Sequence, residues 1–454
     1  MVMKRIAAYT LGCKVNQYDT EAMLERFERA GYAAVPFPGE ADVYLINTCT
    51  VTGTGDQKSL KAIRRAAREH PGCAIVVCGC LAQREAEALA RMDNVRLVVG
   101  VQRRGEVVEL LERALREDAT INAVAPLADA GFESLFVTRH EGRSRATMKI
   151  QEGCDRYCSY CIIPSVRGPV RSMPLDEVAK EAARLGEAGY REIVVTGIHL
   201  ASYGRGTENT LMDAVRAVHD APGVRRVRLG SLEPMTVTED FAREAARLKG
   251  LMRQFHLSLQ SGSAAVLRRM HRRYTPEQYL EAARTLRRHM PDCAVTTDII
   301  VGFPGETEAE FRETLAFAEA AELARIHVFP YSRRSGTVAD RMDGQVDEAV
   351  KKERARRLIE LGNRLERRFV SQLLGTEQEA LFETDAGDGL AEGYTGQYVR
   401  VRADAVPGQI ARVRLERADG TLALGRVVER EGERPAGEDA PIPGLPREGE
   451  SRQL

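Results

Sequence analysis

Cys154, Cys158 and Cys161 fall within one run, Gly153-Cys154-Asp155-Arg156-Tyr157-Cys158-Ser159-Tyr160-Cys161, spaced C-x3-C-x2-C with no fourth cysteine or histidine close behind. Three thiolates can hold three corners of a cubic [4Fe-4S] cluster and leave the fourth iron open to a small molecule. A closed structural site takes four protein ligands instead. The absent fourth ligand is therefore the informative part. A zinc knuckle would want that ligand nearby, and His140 and His199 are badly spaced to supply it. Nine cysteines are an odd count, and the start, Met1-Val2-Met3-Lys4-Arg5-Ile6, enters a strand-like segment without a secretory apolar stretch. Both facts argue against a disulfide framework.

The elements that would position these cysteines read as alternating strands and helices. Up to about residue 125 the strand candidates are Ile6 to Tyr9, Val43 to Asn47, Ala74 to Cys78 and Leu97 to Val99. Helical stretches span Thr20 to Ala30, Gln57 to Glu69, Ala82 to Arg91 and Gly105 to Arg116. This alternation predicts an open parallel α/β sheet. Cys13, Cys49 and Cys80 each fall just past the C-terminal end of a different strand, the edge where open α/β sheets bind ligands. They would converge as a second three-thiolate site. Cys73 and Cys293 precede strands and belong to the opposite edge; Cys78, inside a strand, reads as a small core residue, with an exchange of roles with Cys80 as the alternative.

After a linker and entry segment at 126–145 the alternation resumes to about Leu374. Strand candidates are Thr147 to Gln151, Ile193 to Thr196, Arg226 to Leu229, His256 to Leu259, Val295 to Val301 and Ile326 to Phe329. Six βα units predict a partial, open barrel, in which chemistry gathers where strands end. Those ends are polar or glycine-rich: Thr196-Gly197-Ile198-His199, Ser231-Leu232-Glu233, Gln260-Ser261-Gly262, Asp298 with Gly302-Phe303-Pro304-Gly305, and Tyr331-Ser332-Arg333. A Lys- and Arg-rich helix after Val346 is expected to pack across this barrel. From about Gly375 to Glu429 short alternating strands predict a small antiparallel β-barrel with Arg400, Arg402, Arg412 and Arg414 outside. The Glu-, Gly- and Pro-rich stretch at 433–454 reads as a disordered tail.

The chain has 454 residues, 43% hydrophobic and 29% charged, which is globular in character and enough for about two to four domains. No apolar run is long enough to span a membrane, and a reducing cytoplasm is the expected compartment for so many free thiols. Lys and Arg together number 66, as do Asp and Glu, so any nucleic-acid surface must be local. Candidate basic patches are the outer barrel arginines, the run Arg268-Arg269-Met270-His271-Arg272-Arg273, and Arg167 with Arg171. Such patches supply sequence-independent phosphate affinity. A solvated outer face is the competing reading of each.

The cysteine triad resembles that of the radical S-adenosylmethionine (SAM) superfamily, in which SAM chelates the open iron and an aromatic residue before the last cysteine, here Tyr160, lies near adenine. Over roughly residues 2 to 430 the chain resembles the methylthiotransferase family. The resemblance implies a cluster domain at 2–118, a radical SAM core at 140–370 and an RNA-binding TRAM barrel at 373–432. Three stretches resemble the subgroup acting on threonylcarbamoyladenosine beside the tRNA anticodon. They are Thr10-Leu11-Gly12-Cys13-Lys14-Val15-Asn16-Gln17, Val195-Thr196-Gly197-Ile198-His199-Leu200-Ala201-Ser202-Tyr203-Gly204, and Arg228-Leu229-Gly230-Ser231-Leu232-Glu233-Pro234. Gly230 departs from the expected Ser.

The resemblance implies two [4Fe-4S] clusters, one at Cys154, Cys158 and Cys161 that splits SAM to a 5′-deoxyadenosyl radical, and one at Cys13, Cys49 and Cys80 that carries the sulfur. It also implies tRNA (the anticodon stem-loop), an electron donor and a sulfur donor as partners. Candidate SAM contacts are Thr196 and Gly197 for the methionine amine, and Gln260, Ser261 and Asp298 for ribose and carboxylate, with Tyr331 and Arg333 along the same pocket. Each is equally readable as a turn or cap residue. Alternatives within the family act on isopentenyl-adenosine or on a ribosomal-protein aspartate. An alternative outside it is a non-catalytic RNA-binding protein with zinc at the triad.

Overall fold

A computed structural model describes residues 3–128, 131–140 and 143–430. The tail expected at 433–454 lies outside the described residues.

Six strands form the first sheet: β1 (Arg5–Thr10), β2 (Ala33–Val35), β3 (Val43–Thr48), β4 (Ala74–Gly79), β5 (Val95–Val98) and β6 (Ile121–Asn122). They lie in the order β2-β1-β3-β4-β5-β6, every pair parallel. β3 and β4 are buried along their whole lengths because helices cover both faces. β2 and β6, at three and two residues, are too short to leave a periodic signal in the sequence. The helix expected from Ala82 to Arg91 is two pieces, Cys80–Arg84 and Ala86–Ala90. At Glu85 the backbone leaves helical geometry (φ −123°, ψ 34°), which re-aims the second piece so that Leu89 packs beside Val95 and Val98.

The second unit contains β7 (Arg145–Glu152), β8 (Arg171–Ser172), β9 (Glu192–Gly197), β10 (Arg226–Leu229), β11 (Gln254–His256), β12 (Ala294–Val301) and β13 (Arg325–Pro330). Two sheets result, β10-β9-β7-β8 and β11-β12-β13. Only the short β8 runs antiparallel. Isolated parallel bridges, Val227 to Leu251 and Leu232 to Leu257, join the sheets across the break, so the six main strands follow chain order in a curved, interrupted wall. Strand alternation decides its two faces. Ala146, Met148 and Ile150 enter a core shared with the covering helices. Thr147, Lys149 and Gln151, although buried, lie between them in the strand and point the other way. The helix Glu348–Gln372 brings Leu358, Leu361 and Leu365 to the outer core.

The last strands are β14 (Glu377–Gly387), β15 (Leu390–Thr395), β16 (Arg400–Ala403), β17 (Ile410–Asp419) and β18 (Leu422–Arg430). They close in the order β14-β15-β16-β18-β17. The expected antiparallel barrel needs one correction: β16 and β18 pair parallel, because the connection through β17 returns the chain alongside β16 in the same sense. Val401, Val413 and Leu415 fill the inside. This barrel docks under the wall through buried arginines: Arg226 donates to the Tyr394 carbonyl (3.2 Å), and Arg228 to those of Thr395 (3.2 Å) and Gly396 (3.1 Å).

Candidate active site

Each cysteine of the first set stands at a strand end. Cys13 precedes the helix Lys14–Arg29, Cys49 follows β3, and Cys80 opens the helix Cys80–Arg84 after β4. Gly12 lets two of these loops meet. Its φ is +102°, and a Cβ there would lie 2.9 Å from the Cys49 Sγ. Cys13 is exposed, whereas Cys49 and Cys80 are buried. Cys78 lies inside β4 and points into the core beside Val76 and Leu97, its thiol donating to the Ile46 carbonyl at 3.7 Å.

Cys154, Cys158 and Cys161 ride on the loop after β7, the wall's first strand. Gly153 turns the chain into it with φ +74°, where a Cβ would strike the Pro169 carbonyl at 1.8 Å. Burial pushes the thiols up, to about 11 for Cys154, about 12 for Cys161 and about 11 for Cys80. Deprotonation there therefore needs a positive partner such as iron. Among the described residues no three His, Cys, Asp or Glu side chains converge tightly enough to grip a single metal ion. A cube is wider than one ion and takes sulfurs set further apart. The donor set, three thiols on each of two loop clusters, suits such a group.

The two sets approach one another at Cys80. Cys80 packs against Ile162, the residue after Cys161, and against Val166. Beside this contact a cavity of about 300 Å³ is lined from one side by Val51 and Thr52, just past Cys49, and from the other by Tyr160, Cys161, Gln260, Asp298 and Tyr331. Among the described residues the buried Tyr331 hydroxyl has no hydrogen-bond partner, which leaves it free for a guest. Thr196, Gly197 and Ser261 do not line this cavity. Thr196 is buried at the end of β9, Gly197 packs tightly over Gln151, and the Ser261 hydroxyl pairs with Thr314 at 3.2 Å. Arg333 turns outward to Asp340 at 2.7 Å.

Comparison with known proteins gives this geometry its family. Residues 148–318 match the model of the radical SAM superfamily, and residues 5–100 match one described as uncharacterized protein family UPF0004. The threonylcarbamoyladenosine tRNA methylthiotransferase MtaB of Bacillus subtilis is 42% identical over 88% of this chain and 90% of its own length. The chain belongs to the methylthiotransferase family of radical SAM enzymes. A tRNA-2-methylthio-N(6)-dimethylallyladenosine synthase of Acetivibrio thermocellus is 33% identical, over 87% of this chain and 85% of that protein. Among solved structures, the radical SAM methyltransferase TsrM of Kitasatospora setae aligns with a TM-score of 0.56 at 13% identity, covering 86% of this chain and 77% of that one. At that identity the likeness is one of fold. Membership brings SAM and a [4Fe-4S] cluster to the enzyme.

In this methylthiotransferase two arginines touch thiols of the two cysteine sets. Arg167 Nε donates to Cys80 Sγ at 3.1 Å, and Arg272 Nη1 to Cys158 Sγ at 3.2 Å. Arg167 is wholly buried and also reaches Glu152 (2.7 Å), Asp19 (3.3 Å) and the Asn16 amide oxygen. Lys149 pairs with Asp19 at 2.6 Å and Glu152 at 3.1 Å, and Arg104 joins both carboxylates. Burial opposes charge on Asp19, yet Arg104 and Lys149 hold its carboxyl below the ordinary range. A second network centres on Glu233, ringed by Arg156 (2.9 Å), His199 (3.3 Å) and Arg272 (3.4 Å). Burial would raise its carboxyl, but His199 first, then the arginines, holds it at about 2.

These contacts correct one expectation. Arg167 and Arg171 are buried and do not form a phosphate patch. Within the 268–273 run, Arg272 faces Cys158 and Arg269 is paired with Glu310 at 2.9 Å, so Arg268 and Arg273 remain outward. Asp19, Arg104, Lys149 and Glu152 escaped the sequence reading. The signal was the polar alternation Thr147, Lys149, Gln151 in β7, which marks a face built to meet another polar surface.

Proposed function

We propose that this enzyme installs a methylthio group on C2 of N6-threonylcarbamoyladenosine beside the tRNA anticodon. The observation that carries the reading is the approach of two three-cysteine sets from two separate sheets: Cys80 packs against Ile162, next to Cys161, and Cys161 lines a cavity to which Val51 and Thr52, just past Cys49, also contribute. The 42% identity to the Bacillus subtilis enzyme of that printed activity supports the choice of substrate. Cys154, Cys158 and Cys161 would hold one [4Fe-4S] cluster and Cys13, Cys49 and Cys80 a second. When bound, SAM and the two clusters supply one-electron chemistry and sulfur to a carbon that ordinary nucleophiles do not attack.

The chain's own residues would bind and orient. Tyr160 and Tyr331 offer flat apolar surface for adenine, and Gln260 and Asp298 offer polar groups for ribose or carboxylate. We assign Thr196, Gly197 and Ser261 to shaping the strand ends rather than to touching SAM. Arg167 and Arg272 would hold positive charge against thiolate ligands. The closing barrel would act as a TRAM-type clamp. Its outer arginines stand in surface pairs, Arg400 and Arg402 with the half-buried Glu392 and Arg412 with Glu429, from which phosphate would draw them.

Nucleoside mass spectrometry of tRNA tests the reading. A strain lacking this gene and any second enzyme of the kind should lose 2-methylthio-N6-threonylcarbamoyladenosine and keep its unthiolated precursor. Persistence of the product would overturn the assignment. Loss of methylthiolated isopentenyl-adenosine instead would install the second reading, which rests on the 33% identity to the dimethylallyladenosine synthase.

A further inference from the structure

A second cavity of about 300 Å³ opens where the first sheet, the wall and the closing barrel meet. Its lining includes Lys14 and Gln17 from the first helix, Arg143 and Arg145 at the start of the wall, and Glu383 and Tyr398 from the barrel. Three cations thus face one carboxylate. Two of them are engaged: Arg145 with Glu383 at 2.6 Å, and Arg143 with Glu21 at 3.5 Å. Lys14 forms no ion pair among the described residues, and it directly follows Cys13. Gln17 stands one turn further along the same helix face, an amide able both to donate and to accept. The Arg145 guanidinium lies 5.2 Å from the centre of the Tyr398 ring, which fixes that wall of the cavity.

An uncompensated ammonium beside an amide, in a recess of this size next to a cluster-site cysteine, fits a small anionic group carried by the reacting base. We infer that Lys14 and Gln17 receive the carboxylate and urea of the threonylcarbamoyl substituent, so that this recess selects the substrate. The inference rests on the function proposed above. It differs from a phosphate contact because it predicts discrimination between modified and plain adenosine rather than general RNA affinity.

The test uses the cluster-loaded full chain and synthetic anticodon stem-loops carrying threonylcarbamoyladenosine, its carboxyl methyl ester, or plain adenosine. Fluorescence anisotropy should show wild type favouring the acid over both others by about tenfold to a hundredfold, the worth of one charge-assisted hydrogen bond. Lys14→Gln should bind all three alike, and Lys14→Arg should recover part of the preference. The ester comparison needs no variant, so it stands even if a substitution disturbs folding. Equal binding of acid and ester by wild type overturns the inference, as does a Lys14→Gln loss shared by all three RNAs, which marks a phosphate contact. Failure of wild type to methylthiolate the acid form sinks the proposed function itself; turnover without carboxylate preference sinks only the recess.

Discussion

At Cys80 the side chain sits against Ile162 and accepts from Arg167, whereas Cys78, two residues earlier and still inside β4, is buried among Val76 and Leu97. Cys80→Ala should therefore lower iron after anaerobic reconstitution from about eight to about four per chain, with Cys78→Ala leaving it unchanged; iron and sulfide assays decide. Cys154→Ala should abolish SAM cleavage, and Cys13→Ala should spare cleavage but stop sulfur transfer. The opposite pattern, read by chromatography of the two products, would reverse the roles of the sets. Arg167→Met strips a buried counter-charge from Asp19 and Glu152, so it should cost about 3–5 kcal/mol in urea unfolding. The placement of the six cysteines past strand ends was legible because strand ends and loop spacing are local facts. Arg167 was not. In sequence it is a basic residue after a loop, and only tertiary folding brings it to Cys80.

Among the helices, Leu175–Glu187 carries Glu181 to the Tyr18 hydroxyl of the first helix, 2.8 Å away, and to the Val137 amide at 3.3 Å. Burial pushes the Glu181 carboxyl up to about 7. Because the folded value lies above the ordinary 4.5, the unfolded chain releases its proton first as pH rises. The contribution is complete below about pH 4.5 and disappears as pH climbs through about 7, a change on the order of 3 kcal/mol. Glu181→Gln should flatten this part of the stability–pH curve, measured by denaturant unfolding at several pH values; an unchanged slope would place the titration elsewhere. Capping boxes at Thr275 and Thr307 open the helices Pro276–His289 and Glu308–Ala320. The break at Glu85 was not legible, since Ala82 to Arg91 carries neither Gly nor Pro to announce it.

Across the molecule, buried arginines hold the closing barrel to the wall. Arg226 and Arg228 are buried, share Glu192 at 2.7 and 2.9 Å, and donate to the barrel carbonyls of Tyr394, Thr395 and Gly396. A chain ended after Leu374 leaves those donors without acceptors. It should melt at lower temperature than the full chain by calorimetry and bind RNA with a shallower salt dependence. Fold class was readable from the order of strands and helices, because a parallel sheet follows from alternation alone. The parallel closure of β16 on β18 was hidden, since a strand's own residues do not reveal which neighbour it will take.

The buried charges around Asp19 also bear on exchanging parts between relatives. Asp19 and Arg104 come from one half of the chain, Lys149, Glu152 and Arg167 from the other, with the 126–145 segment as the natural splice point between them. A hybrid joined there inherits half a ledger of signs. It should assemble only when both donors carry the same five residues, so this quintet, rather than overall identity, sets which halves are interchangeable.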